Sequence, residues 1–199
     1  MAAGEGSRLR PITEHWSKPV LPIDGRPVVV SLIHELAAGG CGPIIVVTGH
    51  LAEQVEELLA PLPYEIRFVR QPPGLGSADA VARAEATAPF LVSAADTLYT
   101  PGEINRFASG VLSADGAYAV HGSFRPPLWA LGPRVARFLD PLPGNAPYEL
   151  AHVFDNAVAE GAVVRAVEIG PSRDLTSPED LVRENFDYLR AVRAGAAGV

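Results

Sequence analysis

Two stretches of this chain are apolar without alternation: Pro-Ile-Ile-Val-Val at 43–47 and Pro-Phe-Leu-Val-Ser-Ala-Ala at 89–95. A strand with one face in water alternates apolar and polar residues, whereas a strand apolar at nearly every position needs both faces covered. A one-faced antiparallel sheet is therefore excluded, and helices are required on both sides. The other periodicities agree. Strands are predicted at 44–48, 65–69, 90–94, 117–121, 128–131 and 163–169, and helices at 27–38, 51–60, 78–87, 103–112, 134–139, 148–160 and 179–192. This alternation implies an α/β fold, a three-layer αβα arrangement around a Rossmann-like, mostly parallel, doubly wound sheet. The first helix is predicted to open with Pro27 and to stop at Gly39-Gly40. Proline- and glycine-rich stretches at 61–63, 71–76, 124–127 and 141–147 read as loops, and no internal repeat divides the chain. The 199 residues make one domain, 1–199, with 190–199 expected to be a frayed tail.

Charge narrows the partners. The formal net charge is −7, which argues against a nucleic-acid backbone or an anionic membrane. No apolar run approaches the ~20 residues of a membrane span. One cysteine, Cys41, permits no internal disulfide, and no signal peptide is evident, so a cytoplasmic location is expected. The five histidines are scattered without ligand spacing, so zinc is not expected. Fifteen arginines stand against a single lysine, Lys18. Arginine is a planar fork, whereas lysine is a compact point charge on a flexible stem, the kind of cation that suits one mobile phosphate contact.

In doubly wound sheets, ligands bind outside the carboxyl ends of the strands. Four segments have the chemistry to do so. Ala3, Gly4, Gly6 and Ser7 form a glycine-rich loop whose amides can cradle phosphate oxygens, with Arg8 able to clamp them bidentately. It lacks the third glycine of a dinucleotide fingerprint and the Gly-Lys-Ser/Thr of a Walker loop. Gln71 offers an amide to a base edge, Gly76 allows close backbone approach to a flat ring, and Ser77 is placed to cap the helix that follows. Asp96 ends an apolar strand, and Asp174 follows the last one. Either carboxylate suits Mg²⁺, which is commonly held by one or two carboxylates plus phosphate oxygens. Each segment alone is also what an ordinary turn or helix cap looks like.

Their order carries more. The chain reads Met1-Ala-Ala-Gly-Glu-Gly-Ser-Arg-Leu-Arg-Pro-Ile-Thr13, then Ser17-Lys18-Pro19-Val20-Leu21-Pro22, Gln71, Leu75-Gly76-Ser77-Ala78-Asp79-Ala80, Ala95-Asp96 and Asp174 to Leu181. In this it resembles the sugar-1-phosphate nucleotidyltransferases, the glucose-1-phosphate thymidylyl- and uridylyltransferases and their relatives. The resemblance implies that an NTP, with dTTP or UTP favoured, and a sugar-1-phosphate give an NDP-sugar and pyrophosphate. It further implies that Arg8 and Lys18 are catalytic, that Ala3, Gly4, Gly6, Ser7, Gln71, Gly76 and Ser77 bind the nucleotide, and that Asp96 and Asp174 hold Mg²⁺. A sugar phosphate is already an oxyanion near neutral pH, so no general base is needed; catalysis is positioning and charge neutralisation.

Three features depart from the family pattern. The buried strand that precedes the glycine loop is missing, which would expose sheet edges and suggests a start assigned too late. A Glu-Lys-Pro motif for the sugar has no counterpart between Tyr118 and Trp129, where Arg125 is the nearest cation. Ala95 stands in place of a glycine. The first two leave open a non-catalytic nucleotide-sugar-binding or regulatory domain of the same fold. A nicotinamide dehydrogenase fits less well, because Thr48-Gly49-His50 stands where an acidic residue would be needed. The oligomeric state is not legible, and a homo-oligomer remains open.

Overall fold

The computed structural model describes residues 1–111 and 114–186. The two unalternated runs become strands β3 (Ile44–Thr48) and β5 (Phe90–Ser93), preceded by a small hairpin of β1 (Pro22–Ile23) and β2 (Arg26–Pro27) and helix α1 (Val28–Ala38). The chain continues through α2 (Ala52–Leu59), β4 (Ile66–Arg70) and α3 (Gly76–Arg83) to β5. Beyond β5 follow β6 (Thr97–Tyr99), α4 (Glu103–Gly110), β7 (Gly116–Val120), β8 (Leu128–Leu131) and α5 (Pro133–Ala136). The last elements are α6 (Leu150–Ala159), β9 (Val164–Glu168), β10 (Ser172–Asp174) and α7 (Pro178–Arg183).

Two apolar layers sandwich the sheet, as continuously apolar strands require. On one face Val29, Leu32 and Ile33 of α1, Val55 and Leu59 of α2, and Ile104 and Phe107 of α4 form a core with Val46 and Ala117. On the other, Ala78 and Val81 of α3, Val135 of α5, and Leu150 and Val153 of α6 pack on Val92 and Leu131. Burial of side chains like these stabilises by about 1.5–3 kcal/mol each, and it is the main force holding the three layers.

The sheet is mixed. β3 pairs with β4 in parallel, and a second block runs β5-β8-β7-β9. There β7 and β9 are parallel, but β8 runs against both β5 and β7. The connection 121–127 is too short for a parallel crossover, which needs a dozen or more residues, so β7 returns as a hairpin. A further antiparallel clip joins β6 to β10, with Asp174 opposite Thr97.

Several boundaries differ from the sequence reading. The first helix starts at Val28, because Pro27 is extended and belongs to the hairpin. That hairpin turns on Asp24 (φ 53°) and Gly25 (φ 71°), an Asp-Gly pair with both φ positive, as a type I′ turn demands. Helix 78–87 begins two residues earlier and ends at Arg83. Helix 134–139 is α5 followed by a 3₁₀ turn, Arg137–Leu139. The parts of the expected helices at 112 and 187–192, and the tail 190–199, lie outside the described residues.

Candidate functional site

The glycine loop leaves the sheet at Ala2, whose N–H donates to the Val47 carbonyl at 2.7 Å, while Ala95 N–H donates to the Met1 carbonyl at 2.8 Å. Residues 3–9 thus start from between the carboxyl ends of β3 and β5. Gly49, just after β3, lets the loop pass: a Cβ there would stand 2.7 Å from the Ala3 carbonyl oxygen. Gly6 has φ 63°, in the left-handed region, and a Cβ would meet Thr13 Cγ2 at 2.9 Å and Lys18 Cβ at 3.2 Å. Only glycine fits at that place without displacing the lysine stem. The Gly6 carbonyl accepts from Leu9 N–H at 2.8 Å and from Thr13 Oγ1 at 2.9 Å, closing the 3₁₀ turn Ser7–Leu9 that carries Arg8.

Two side chains from beyond β3 hold the next turn. His50 Nε2 lies 2.7 Å from the Thr13 carbonyl. Gln54 of α2 donates from Nε2 to the His15 carbonyl at 2.7 Å and accepts from Ser17 N–H at 2.8 Å through Oε1. Lys18 follows at once, in the 3₁₀ turn Lys18–Val20, so α2 sets the lysine's position. Neither contact is visible in the glycine motif itself; a polar, inward-facing position on an otherwise amphipathic α2 is the only sequence sign of Gln54.

Gly4, Gly6, Ser7, Arg8, Lys18 and Asp96 line one cleft of about 310 Å³, together with Leu175 and Thr176. Lys18 Nζ is ion-paired with Asp96 Oδ2, and both side chains are largely withdrawn from solvent. Arg8 is exposed and makes no ion pair among the described residues. Beneath Asp96, the Tyr99 hydroxyl is 3.0 Å from Ser93 Oγ and donates to the Pro127 carbonyl at 3.0 Å. Burial pushes the Tyr99 phenol well above its ordinary range, with the Asp96 charge adding to it, so it acts there as a neutral donor.

Asp174 does not line this cleft. It sits opposite Thr97, the residue that follows Asp96, and accepts from Thr176 Oγ1 at 3.2 Å. Much of the late motif is a helix start. Ser177 and Asp180 form a capping box, Pro178 opens α7, and Asp180 Oδ2 accepts from Thr176 N–H at 2.8 Å and Ser177 N–H at 2.7 Å. Arg173 is committed to Asp24 and Glu184.

The base-side candidates form a second cluster around the start of α3. Gln71 Nε2 donates to the Gly76 carbonyl at 2.8 Å and to Asp79 Oδ2 at 2.9 Å. Asp79, 8% exposed, also pairs with Arg83 at 2.6 Å. Gly76 has φ 86°, and a Cβ there would collide with the Tyr148 backbone. Ser77 does not cap α3. It lies inside that helix, donates to Glu149 Oε2 at 2.8 Å and accepts Leu150 N–H at 2.8 Å, which caps α6 instead. On the sugar side, Arg125 stacks over the Tyr118 ring at 4.7 Å and is outside the lining of the cleft.

Among the described residues Asp96 is the one carboxylate in the lining of the cleft, and no group of three or more His, Cys, Asp or Glu side chains comes together, so a hard cation here would need phosphate and water oxygens for the rest of its shell. Among the described residues no helix is long and apolar enough to cross a membrane.

A family model described as "MobA-like NTP transferase domain" matches residues 1–158. Among curated proteins, the bifunctional protein GlmU of Rhodospirillum rubrum is 39% identical over 132 residues, 63% of this chain and 28% of that one. The UTP–glucose-1-phosphate uridylyltransferase of Synechocystis is 45% identical over 56 residues, 28% of this chain and 14% of that one. The chain therefore spans less than a third of the length of these relatives. Among solved structures, the inositol-1-phosphate CTP transferase from T. maritima superposes with a TM-score of 0.77 at 18% identity, covering 98% of this chain and 94% of that one. A UDP-glucose pyrophosphorylase from Acinetobacter baumanii gives 0.78 at 18% identity, covering 94% and 90%. At such identities the likeness speaks for the fold.

Proposed function

Because this chain belongs to the MobA-like NTP transferase family, we propose that it joins an NTP to a sugar-1-phosphate, giving an NDP-sugar and pyrophosphate. The observation that carries this reading is the convergence of a glycine loop, two cations of different shape and a carboxylate on one cleft. The cleft's cations are where a triphosphate would need them. Arg8, unpaired among the described residues, is free to clamp phosphate oxygens bidentately, and Lys18 offers a point charge beside the reacting phosphorus. Gly4, Gly6 and Ser7 bring backbone groups to the same anions, whereas Ala3 lies outside the lining of the cleft and its carbonyl accepts from His50 N–H. With a substrate oxyanion as nucleophile, the protein's work is to hold two anions in line and offset their repulsion.

Asp96 would hold Mg²⁺, with Asp174, paired to the adjacent Thr97, as a second carboxylate; the ion when bound would supply positive charge to the phosphates. In the base cluster, Gly76 packs against the Tyr148 backbone, which keeps its own backbone at the face offered to a base, and Ser77 fastens α3 to the start of α6 beside it. Gln71 supports a pyrimidine with a ring N–H. Both of its partners are acceptors, so its NH₂ must face them, and Oε1 is left to accept. Uracil and thymine present such a donor, whereas the ring nitrogen of cytosine would meet an oxygen lone pair. UTP or dTTP is therefore favoured.

The experiment is a pyrophosphate-release screen of the four ribonucleotides and dTTP against a panel of sugar-1-phosphates with Mg²⁺. Release that needs both substrates, and favours UTP or dTTP, supports the reading. Nucleotide binding without release under any pairing would leave a non-catalytic domain in its place.

A further inference from the structure

Between β3 and α2 the chain makes one turn, Gly49-His50-Leu51, and the turn is strained. Leu51 has φ 50° and ψ 44°, in the left-handed region, which is unfavourable for a residue that carries a Cβ. Strain of this kind persists where the surrounding structure over-determines it, and it gathers at functional sites. Two polar side chains flank Leu51: His50 directly before it, and Gln54 in the first turn of α2. Neither lines the cleft. Both reach instead into the segment 3–18, which supplies the cleft with its loop and its two cations.

His50 grips the glycine loop at both ends. Its backbone N–H donates to the Ala3 carbonyl at 3.3 Å, and its ring Nε2 lies 2.7 Å from the Thr13 carbonyl. A carbonyl only accepts, so Nε2 carries the hydrogen. Thr13 is buried and passes the hold on. Its Oγ1 donates to the Gly6 carbonyl at 2.9 Å, the same oxygen that takes Leu9 N–H and closes the turn carrying Arg8. His50 thus fixes where the loop amides and Arg8 lie.

Gln54 grips a different piece. Nε2 donates to the His15 carbonyl at 2.7 Å and Oε1 accepts from Ser17 N–H at 2.8 Å, so both edges of the amide are used. A serine at the start of a helical turn ordinarily satisfies the turn's amides through its own hydroxyl. Ser17 stands there, ahead of the 3₁₀ turn Lys18–Val20, but its hydroxyl makes no such bond; it is buried and has no partner among the described residues. The backbone just before Lys18 is therefore held from outside, by Gln54. Glu14, His15 and Trp16, between the two grips, are exposed, so no packing obliges the loop and the lysine to move as one.

We propose that His50 and Gln54 are positioning residues with separate tasks: His50 sets the phosphate-binding loop, and Gln54 sets Lys18 for the chemical step. This rests on the nucleotidyl-transfer reading given above. The loop and Arg8 meet the triphosphate in the ground state, so disturbing them weakens binding. Lys18 faces charge that grows at the reacting phosphorus, so disturbing it slows turnover without loosening the nucleotide.

Each grip has a readout that needs no substrate. Lys18 is the protein's one lysine, so isotope-labelled lysine gives a single Cε–H NMR signal, and Asp96→Asn marks where an unpaired Lys18 resonates. Leu9 N–H, bonded to the Gly6 carbonyl, reports on the loop through solvent exchange. Gln54→Met is expected to move the lysine signal toward the Asp96→Asn position and to lower kcat about thirtyfold, with Leu9 exchange and the Kd for UTP and Mg²⁺ each within about twofold of the parent. His50→Leu is expected to leave the lysine signal in place, while Leu9 exchange quickens about tenfold and the UTP Kd rises about tenfold. His50→Gln, which keeps an N–H donor, should restore part of the loop's protection. Gln54→Asn and His50→Ala are second variants for which the same crossed pattern is expected. Both readouts moving together in a folded variant would overturn the separation. A folded Gln54→Met with an unmoved lysine signal, or a folded His50→Leu with unmoved Leu9 exchange, would overturn the positioning role, and failure of every variant to fold would make both residues structural and overturn it as well. If the parent releases no pyrophosphate with any substrate pair, the transfer reading falls, whereas the crossed pattern of lysine signal and Leu9 exchange still upholds or overturns the two grips.

Discussion

Asp79 holds the amide of Gln71: Nε2 donates to Oδ2 at 2.9 Å, and the Gly76 carbonyl takes the second hydrogen at 2.8 Å. A glutamine at such a place could present either edge to a base, since rotation of the amide exchanges donor and acceptor. Two acceptors on one side remove that freedom, and Asp79 is itself fixed by Arg83 one helical turn on.

Replacing Asp79 by alanine should therefore loosen base selection more than it slows chemistry. The expected outcome for Asp79→Ala is a rise of about tenfold in KM for UTP, a change in kcat within about twofold, and a narrower ratio of kcat/KM between UTP and CTP. Leaving Gln71 and Arg83 with a missing acceptor should also cost about 1–3 kcal/mol of stability, read by urea unfolding. An unaltered nucleotide preference with the stability loss alone would make Asp79 a structural residue only.

The Lys18–Asp96 pair makes a cation and a metal rivals for one carboxylate. Lys18→Gln should bind Mg²⁺ more tightly in the absence of nucleotide, by roughly fivefold, since an ion pair at the edge of an open cleft is worth about 1 kcal/mol. The same variant should lose about a hundredfold in turnover, as loss of a preorganised charge does. Calorimetric titration with Mg²⁺ checks the first expectation, and pyrophosphate release the second. Tighter metal binding with full activity would separate the two roles and remove Lys18 from catalysis.

The buried amine of Met1 gives the fold a pH dependence. Burial lowers its pKa from about 8.0 to about 6, with the Asp96 charge opposing the shift. The folded state thus binds fewer protons than the unfolded one between those values, so stability rises with pH across that window and is level above it. Two units correspond to about 2–3 kcal/mol. Urea unfolding from pH 5.5 to 8.5 should show this gain in the chain with a free Met1 amine, relative to the same chain acetylated there. Parallel curves for the two would refute it.

Ser77 is expected to matter for stability through α6. Its hydroxyl accepts Leu150 N–H, so Ser77→Ala removes a helix cap at a cost of about 1 kcal/mol. The thermal midpoint should fall by roughly 2–4 °C, and amide exchange should quicken at Leu150 rather than in α3. Faster exchange in α3 instead would show that the hydroxyl serves its own helix.

Much of this protein could be read from local pattern. Unbroken apolar runs at 44–47 and 90–92 required helices on both faces, and the cores on either side of β3 and β5 are those helices. Gly6, Arg8 two residues on and the strand-ending Asp96 were legible as one cleft, because such residues announce backbone strain, charge and strand termini locally. Tertiary structure alone decided the rest. Strand direction at β8 depended on what 121–127 could span, and Ser77 serves a helix start 73 residues away. Asp174 stands in the ladder beside Thr97 and outside the lining of the cleft, and Gln71 owes its orientation to Asp79 across a turn. The reason is physical. Period and composition report how much of a residue is buried, whereas which partner satisfies a polar group depends on the packing that brings distant segments together.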